Sequence, residues 1–432
     1  MNLVARRTVR LLTALAAGLA LAACYGSHGE LGDAILRDDA PPATDDGGVD
    51  EAGIGDADCT RTPSAPYVVT TQAGIYVYER PVVLPSGDGF VAFVSVPLPA
   101  GNLGLELTRF TRAGAPLPPS EWAVSSVPVG SVHPVVELPD SGFAAASGVW
   151  WGGPPDQGIW IAVVPPGGPR PDPTHVPDTD VGCDFPTMTF DGTNLVAAWV
   201  DDNDGTIDIR AQRFSPVTGE AVDSAVVAAS GPVNTKEPRI AWSTIRHALA
   251  YFDASDGALH VLGLDGSLTR TSEAILAPPP GHSLIGYPAL VWNGTVYGLV
   301  WETVGAGAAS LHFATFAPDA APVQREPLAE TVALSALETG QVALAWAPAA
   351  NEWGIAWRRA NDGRHRISLA LVDGGTLTAR GSPVDLSAES RAAWHPSLAR
   401  NAGTYAVAWI DQEAGSPDSS PAYLVTYGCG AP

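Results

Sequence analysis

Polar side chains of several chemical types stand at one repeated position in the chain, one or two residues before a recurring proline or its substitute. The set is Arg80, His133, Asp184, Glu237, Tyr287, Gln341 and His395. Guanidinium, imidazole, carboxylate and phenol groups can bind a polar ligand and exchange protons with it. His133 and His395 could share a metal ion, but two imidazoles without a third ligand are weak evidence for one. The set therefore predicts a binding site and identifies no catalytic residue.

Oxygen-bearing side chains form a second candidate site in Asp201-Asp-Asn-Asp-Gly-Thr-Ile-Asp208. Asp201, Asn203 and Asp208 offer the oxygen ligands that Ca²⁺ prefers. The spacing is not that of an EF-hand loop, because the bidentate glutamate is absent. A plain hairpin explains the same residues, since Asp-Gly and Asn-Gly pairs favour tight turns. Calcium is thus the one cofactor that the sequence suggests, and a simple turn is the alternative.

The elements that must position these side chains belong to a repeat with a period of about 50 residues. Each copy has a short strand that usually opens with proline, a Gly/Asn/Asp turn, and an apolar strand that ends in an aromatic residue or a substitute. The opening positions are Pro81, Pro134, Pro186, Pro238, Pro288, Val342 and Pro396, and the closing positions are Val94, Ser147, Trp199, Tyr251, Trp301, Trp357 and Trp409. Bulky side chains at a fixed register suit the packing of one sheet on the next. Because proline has no N–H to donate, we expect it at the first residue of an edge-like innermost strand.

Each copy predicts four antiparallel strands, which in the third copy are about 186–190, 194–201, 206–214 and 221–229. A period of this size predicts small sheets that bury their faces on one another around a closed ring. The seventh copy ends one strand short, and a spare strand lies near residues 65–70, so we expect the N-terminal strand to complete the last sheet. Residues 65–429 resemble seven-bladed β-propellers, particularly those of bacterial surface lipoproteins. The predicted fold is therefore an all-β, seven-bladed β-propeller of four-stranded antiparallel blades over residues 61–432.

The ring predicts where the candidate ligands meet. The innermost strand of each sheet begins on the face where the loops between the second and third strands open. The residues before the repeated proline should therefore converge around one mouth of the central channel, where loops on a rigid scaffold commonly carry function. The alternative is a solvated channel mouth that binds nothing.

The first residues read as a targeting segment. Arg6, Arg7 and Arg10 precede an apolar stretch that is too short to cross a membrane, and Leu21-Ala-Ala-Cys24 follows. This segment resembles the lipobox of bacterial lipoproteins, which implies a signal peptide over 1–23 and a lipid such as palmitate on Cys24. Tyr25, which is not aspartate, implies the outer membrane in that family. The alternative is an ordinary cleaved signal with an incidental cysteine.

Residues 24–60 form an acidic segment rich in Gly, Ala and Pro, with few apolar side chains. It cannot bury enough surface to fold, and its like charges extend it, so it is predicted to be a disordered tether. Cys59 and Cys429 flank the predicted ring, whose ends should meet in an oxidising compartment. We therefore expect a Cys59–Cys429 disulfide with Cys183 as a thiol; the alternative pairing is Cys59–Cys183.

The charge balance limits the partners. Lys and Arg number 23 against 46 Asp and Glu, which gives a formal net charge of −23. So acidic a chain is a poor ligand for nucleic acid or for anionic membrane surfaces. Cations or basic partners are favoured.

These observations predict a lipid-anchored binding or scaffold module of the cell envelope, in the outer membrane and either periplasmic or surface-exposed. Its channel mouth would bind an envelope protein, a glycan or a small polar ligand. The alternative is an envelope polysaccharide hydrolase or lyase on the same face. No Gly-x-Ser-x-Gly, His-Glu-x-x-His or phosphate-binding glycine motif occurs in the chain, so binding is favoured over catalysis. A structural spacer without a ligand is the third possibility.

Overall fold

The computed structural model describes residues 61–70, 80–97, 103–127, 134–149, 157–166, 172–179, 182–202, 206–231, 236–305, 308–319, 322–327, 342–361, 364–388, 392–412 and 420–428. Within these residues the protein consists of strands, turns and irregular segments, with no helix. The strands form seven antiparallel sheets arranged as a seven-bladed β-propeller, which confirms the predicted fold. In this part of the chain there is accordingly no helix of the length and apolarity that a membrane crossing requires.

The strands follow the blades in chain order after two short N-terminal strands, β1 (Thr62–Pro63) and β2 (Tyr67–Val68). Blade 1 contains β3 (Val82–Ser86), β4 (Gly89–Pro97), β5 (Leu103–Phe110) and β6 (Pro116–Val127). Blade 2 contains β7 (Val135–Glu137), β8 (Phe143–Val149), β9 (Gly158–Val164) and β10 (Thr174–His175). Blade 3 contains β11 (Cys183–Phe190), β12 (Leu195–Asp201), β13 (Ile207–Phe214) and β14 (Val226–Gly231).

Blade 4 contains β15 (Lys236–Trp242), β16 (His247–Asp253), β17 (Ala258–Leu264) and β18 (Arg270–Leu276). Blade 5 contains β19 (His282–Trp292), β20 (Tyr297–Gly305), β21 (Ala308–Phe316) and β22 (Pro322–Pro327). Blade 6 contains β23 (Val342–Ala347), β24 (Glu352–Asn361), β25 (Arg364–Asp373) and β26 (Val384–Asp385). Blade 7 contains β27 (Ala392–Asn401), β28 (Thr404–Gln412) and β29 (Ala422–Gly428).

The ring closes through both its centre and its ends. The first strand of every blade contacts the first strand of the next blade, from β3 round to β27 and back to β3, so these strands are innermost. Blade 7 is completed by β1 and β2, which both pair with β29. Thr62 lies opposite Gly428, and Tyr67 lies opposite Leu424. The predicted N-terminal closure is therefore confirmed, with the closing strand divided into two short pieces.

The closing aromatic residues of the repeat lie between blades, as predicted. Trp199, Trp357 and Trp409 are fully buried, and Trp301 and Tyr251 nearly so. A neighbouring register places a glycine against an aromatic ring: a Cβ atom on Gly298 would lie 2.6 Å from the Trp353 ring. Aromatic rings bury large apolar areas and supply much of a core's stability. The repeat of the sequence is thus the repeat of the packing between blades.

Hydroxyl groups on innermost strands join successive blades. Thr187 and Ser397 directly follow the repeated prolines of blades 3 and 7. Oγ1 of Thr187 accepts a hydrogen bond from the backbone N–H of Ile240 at 3.3 Å, and Oγ of Ser397 accepts one from that of Val83 at 3.0 Å. Neighbouring innermost strands are therefore joined by hydrogen bonds as well as by apolar contact.

Candidate functional site

The two ends of the innermost strands differ. We call the face where innermost strands begin and second strands end the mouth face, and the other the opposite face. At the mouth face, the pairing of first and second strands shifts register at Asp184/Thr187, Lys236/Arg239, Ile285/Ala289 and Trp394/Ser397. Each shift spans the repeated proline, which lies within the strand in these four blades. The expectation that proline is the first strand residue is wrong there, because a β-bulge accommodates the missing N–H donor.

The bulges also place residues in an unusual backbone conformation. Phe185 and His395, which immediately precede the repeated proline, have φ angles of 55° and 57°. Seven other non-glycine residues among those described share this left-handed conformation, most of them in turns at the opposite face, so the conformation alone does not mark a functional site. The position that the sequence marks as variable is a bulge that redirects side chains at the mouth of the channel.

Four of the predicted site residues are described with their side chains, and all four are buried. Arg80, Asp184, Tyr287 and His395 have exposed fractions of 3%, 6%, 4% and 0%. Each lies at the mouth-face end of a different blade. A fully solvated mouth does not describe these groups, because only a small part of each side chain, and none of His395, is exposed.

The remaining predicted residues are described in part or not at all. Glu237 lies in β15, but its side-chain placement is outside the description. His133, Gln341 and Asn203 lie outside the described residues, as do Cys24, Cys59 and Cys429 of the lipidation and disulfide predictions. Cys183 is buried, and its Sγ lies 3.6 Å from Oδ1 of Asp201. Its assignment as the thiol stays a prediction, because both of its possible partners lie outside the described residues.

The calcium candidate is engaged by protein groups where it is described. Asp201 and Asp208 lie opposite each other in β12 and β13. Asp201 forms an ion pair with Arg210, and Asp208 accepts a hydrogen bond from Oγ of Ser230 at 2.7 Å. These contacts use the carboxylates within the sheet, and calcium binding there stays a prediction.

The ends of the second strands add further buried charge to the mouth face. Glu302, Arg358 and Asp411 have exposed fractions of 1%, 4% and 1%. Removing charges from water is costly unless other groups compensate them, and all three residues interact with other groups of the protein. Concentrated buried ionisable groups mark this face as the candidate site.

Blades 6 and 7 bring the most chemically versatile groups together. The guanidinium carbon of Arg358 lies 3.1 Å from the ring centroid of Trp394. The ring of His365 lies 5.5 Å from that of Trp394, and the ring of His395 lies 6.2 Å from it. Trp394 and His365 are half-buried, so they remain within reach of a ligand. We call Arg358, His365, Trp394 and His395 the blade 6–7 cluster.

The hairpin of blade 6 carries further positive charge on its other side. Arg366 pairs with Asp385 at 3.0 Å, and Arg359 approaches the same carboxylate at 3.8 Å. With Arg358 and Arg364, these make four arginines in the stretch Arg358-Arg-Ala-Asn-Asp-Gly-Arg-His-Arg366. Sequence reasoning missed this hairpin, although its signal was available: it is a basic run in a chain with twice as many acidic as basic residues.

The arrangement suits an anionic ligand. Arginine binds carboxylate and phosphate groups through two parallel hydrogen bonds, and its plane stacks on aromatic rings. An adjacent imidazole can accept or donate a proton near neutral pH. The blade 6–7 cluster can therefore hold an acidic group beside a potential general base.

Comparison with known proteins identifies solved structures that share this fold. No protein-family model and no curated protein matches the chain. It is similar to the solved structure of a polysaccharide lyase of family PL25, an ulvan lyase bound to -[GlcA(1-4)Rha3S]-, with 9% identity over 84% of this chain and 96% of that chain and a TM-score of 0.53. It is also similar to the polysaccharide lyase Uly1, with 11% identity over 84% of this chain and 91% of that chain and a TM-score of 0.50. A protein of unknown function from Dyadobacter fermentans gives 12% identity, 84% and 98% coverage and a TM-score of 0.49. At such identities the likeness shows the propeller fold alone.

Proposed function

We propose that this protein cleaves an acidic, uronate-containing polysaccharide by β-elimination at the mouth face, with the blade 6–7 cluster as its site. The observation that carries the proposal is the stacking of the Arg358 guanidinium on Trp394, with His365 beside the same ring. Two propeller structures with TM-scores of 0.50 and above are polysaccharide lyases, which supports this class of reaction. The lyase alternative is therefore preferred to the simple binding module that the sequence favours.

The chemistry follows from the charges. Arg358 would pair with the uronate carboxylate and stabilise the negative charge that develops there when the C5 proton leaves. His365 would take that proton as general base, the C5 electron pair would form the C4–C5 double bond, and the C4–oxygen bond would break. When the C5 proton and the C4 oxygen lie on the same side of the sugar ring, the imidazole that took the proton returns it to the departing oxygen. Trp394 would position the sugar, and the fully buried His395 would position Trp394.

We further propose that the protein acts in the cell envelope. The resemblance of residues 1–24 to a lipoprotein signal supports an outer-membrane lipid anchor on Cys24. The acidic segment 24–60 would serve as the tether. Metabolic labelling of the producing cell with a radioactive fatty acid would test this part separately from catalysis. The label should be incorporated into the wild-type protein and not into Cys24→Ser.

The decisive experiment incubates the full chain, solubilised in mild detergent, with a panel of uronate-containing polysaccharides and with neutral ones of similar length. β-Elimination creates an unsaturated uronate, so ultraviolet absorbance should rise with the uronate polymers alone. Arg358→Lys, which keeps the charge but loses the planar fork, and His365→Gln should lower kcat/KM by about 100-fold or more. His395→Asn retains a residue that tolerates the left-handed backbone and should lower activity without unfolding the chain.

Trp394→Phe should lower turnover, because Trp394 would position the sugar. Trp242→Phe is its matched control, because Trp242 also packs beside a histidine, His247, but on the opposite face. It should leave turnover unchanged. No unsaturated product from any uronate polymer, or full activity in Arg358→Lys and His365→Gln, would refute the lyase. Retention of an acidic polysaccharide without cleavage, weakened by Arg358→Lys, would instead establish a binding module at this site.

A further inference from the structure

The hairpin of blade 4 at the mouth face gathers a set of potential metal ligands. Asp253 ends β16, Asp256 lies in the turn, and His260 lies in β17. One potential ligand atom from each of these three lies within 4.8 Å of the other two, and no second such group occurs in the described part of the chain. Asp256 is exposed and Asp253 half-buried, whereas His260 is more than nine-tenths buried. The turn thus combines solvent access with a fixed imidazole.

The environment of His260 is the observation that points beyond a simple turn. Nδ1 lies 2.8 Å from Oε1 of Glu273 in the neighbouring strand β18, and Nε2 lies 3.0 Å from Oδ2 of Asp256. A neutral imidazole has one N–H to donate, and a carboxylate only accepts. If Nδ1–H donates to Glu273, the lone pair of Nε2 faces a carboxylate oxygen, and a cation between them removes the repulsion.

Glu273 has the position of an outer partner of a metal-bound histidine. Such histidines almost always donate their second N–H to a carboxylate or carbonyl, which fixes the ring and makes it a better ligand. Glu273 is itself held by Arg270 at 2.5 Å, and the ring of Tyr251 stacks on His260 at 5.1 Å. These contacts therefore fix the orientation of the His260 imidazole before an ion binds.

The spacing and charge also fit a divalent ion. Zinc–ligand bonds of about 2.0–2.2 Å in a tetrahedron place ligand atoms about 3.3 Å apart, close to the separation of Nε2 and Oδ2. Asp253 is oriented by hydrogen bonds from N–H and Oγ of Ser255 to its Oδ1 at 2.8 and 2.6 Å, which leaves Oδ2 for an ion. Two carboxylates balance one divalent charge. The imidazole ligand favours zinc or a similar transition metal over calcium or magnesium.

We propose that Asp253, Asp256 and His260 bind a zinc-like divalent metal ion at the mouth face of blade 4, with Glu273 as the outer partner of His260. Three protein ligands leave a fourth position for water or for an anionic group of a ligand. The site is separate from the blade 6–7 cluster and does not depend on the lyase proposal.

The test uses the full chain produced without a histidine tag and stripped with a chelator. Equilibrium dialysis against Zn²⁺ should give one tightly bound ion per chain, and Co²⁺ should give the intense visible spectrum of a tetrahedral site. His260→Gln and Asp256→Asn should remove both signals. Glu273→Gln should weaken binding by about 10–100-fold while retaining the three ligands.

Asp265→Asn is the matched control, because Asp265 holds an equivalent hairpin in the same blade on the opposite face, accepting from the N–H of Ser267 at 2.9 Å. It should bind zinc normally. Circular dichroism and thermal unfolding of every variant identify any loss of fold. No stoichiometric zinc in the folded wild-type chain, or equal binding by folded His260→Gln, would overturn the proposal.

Discussion

The mouth face and the opposite face of the propeller are built from the same strands but differ in strand pairing and in buried charge. At the mouth face four innermost strands bulge around the repeated proline, and several charged side chains are buried. At the opposite face the strands pair to their ends and are closed by side-chain turns: Oδ1 of Asn293 accepts from the N–H groups of Thr295 and Val296 at 2.9 and 2.7 Å. If the mouth face carries the proposed site, the contrast means that stability and chemistry lie at opposite ends of the blades.

One buried carboxylate on the opposite face serves closure. Glu352 is 1% exposed and contacts Arg61 at 2.5 Å, Arg380 at 3.1 Å and the hydroxyl of Tyr405 at 3.2 Å. These partners come from the N-terminal segment, blade 6 and blade 7. Burial, reinforced by Glu352, raises the pKa of Tyr405, so the phenol remains a hydrogen-bond donor. We call this group the closure cluster.

The largest effect on stability is expected from Glu352→Gln. It leaves the mostly buried Arg61 without its carboxylate and weakens the contact of the more exposed Arg380, which keeps Asp373. Losing charge-assisted hydrogen bonds of this kind costs about 1.5–3 kcal/mol each, less for the exposed pair. Denaturant unfolding measures the loss, and Glu220→Gln at an exposed turn is the control. If the faces are functionally separate, turnover of the folded variant stays at the wild-type level. A loss below about 1 kcal/mol would show that the closure cluster does not hold the ring.

The next effect concerns His247, which is fully buried at the opposite-face end of β16. Burial lowers its pKa from 6.5 to about 4. Below pH 6.5 the His247 side chain binds a proton in the unfolded chain but stays neutral in the folded chain. The free energy of unfolding therefore falls as the pH drops. The loss approaches about 3 kcal/mol near pH 4. The difference between the pH dependence of unfolding in the wild type and in His247→Leu isolates this contribution; parallel curves would contradict it.

A smaller effect is expected where blades pack through glycine. The Cβ atom of Gly298→Ala would lie 2.6 Å from the ring of Trp353, so the ring or the strand must move. Overpacking of this kind costs about 1–3 kcal/mol. Gly266→Ala is the control, since no heavy atom lies within 4 Å of the added carbon. Thermal unfolding of both variants should separate them, and equal melting temperatures would show that the interface is loosely packed.

The smallest effect is expected from a hairpin turn. Asn293→Ala removes the acceptor of two backbone N–H groups, which remain within reach of water, at a cost of about 1 kcal/mol. The rate of hydrogen exchange at Thr295 and Val296 should rise, while exchange at the mouth face stays unchanged. Faster exchange at both faces would mean that the two ends of a blade are coupled.

The fold was predictable because its signal repeats. The proline and aromatic registers indicated seven sheets, the packing between them and the closing N-terminal strand, since each blade needs the same buried surface. The bulges could not be predicted, because Phe185 and His395 are not the glycine or asparagine residues that usually indicate a left-handed backbone. The blade 6–7 cluster could not be predicted either, because the stacking of Arg358 depends on Trp394 from the next blade. The burial of Arg80 and Asp184 also required coordinates, since sequence places a residue at the mouth without saying how deep it lies.

The route of the N-terminal segment has a mechanical consequence. The chain reaches Thr62 at the opposite face, and β1 and β2 then run toward the mouth, antiparallel to β29. Tension on the preceding residues, directed away from the opposite face, runs along these strands. It loads their hydrogen bonds in shear, all at once, whereas a pull from the mouth side would peel them one at a time. The protein is thus built to resist force from the side where the chain enters.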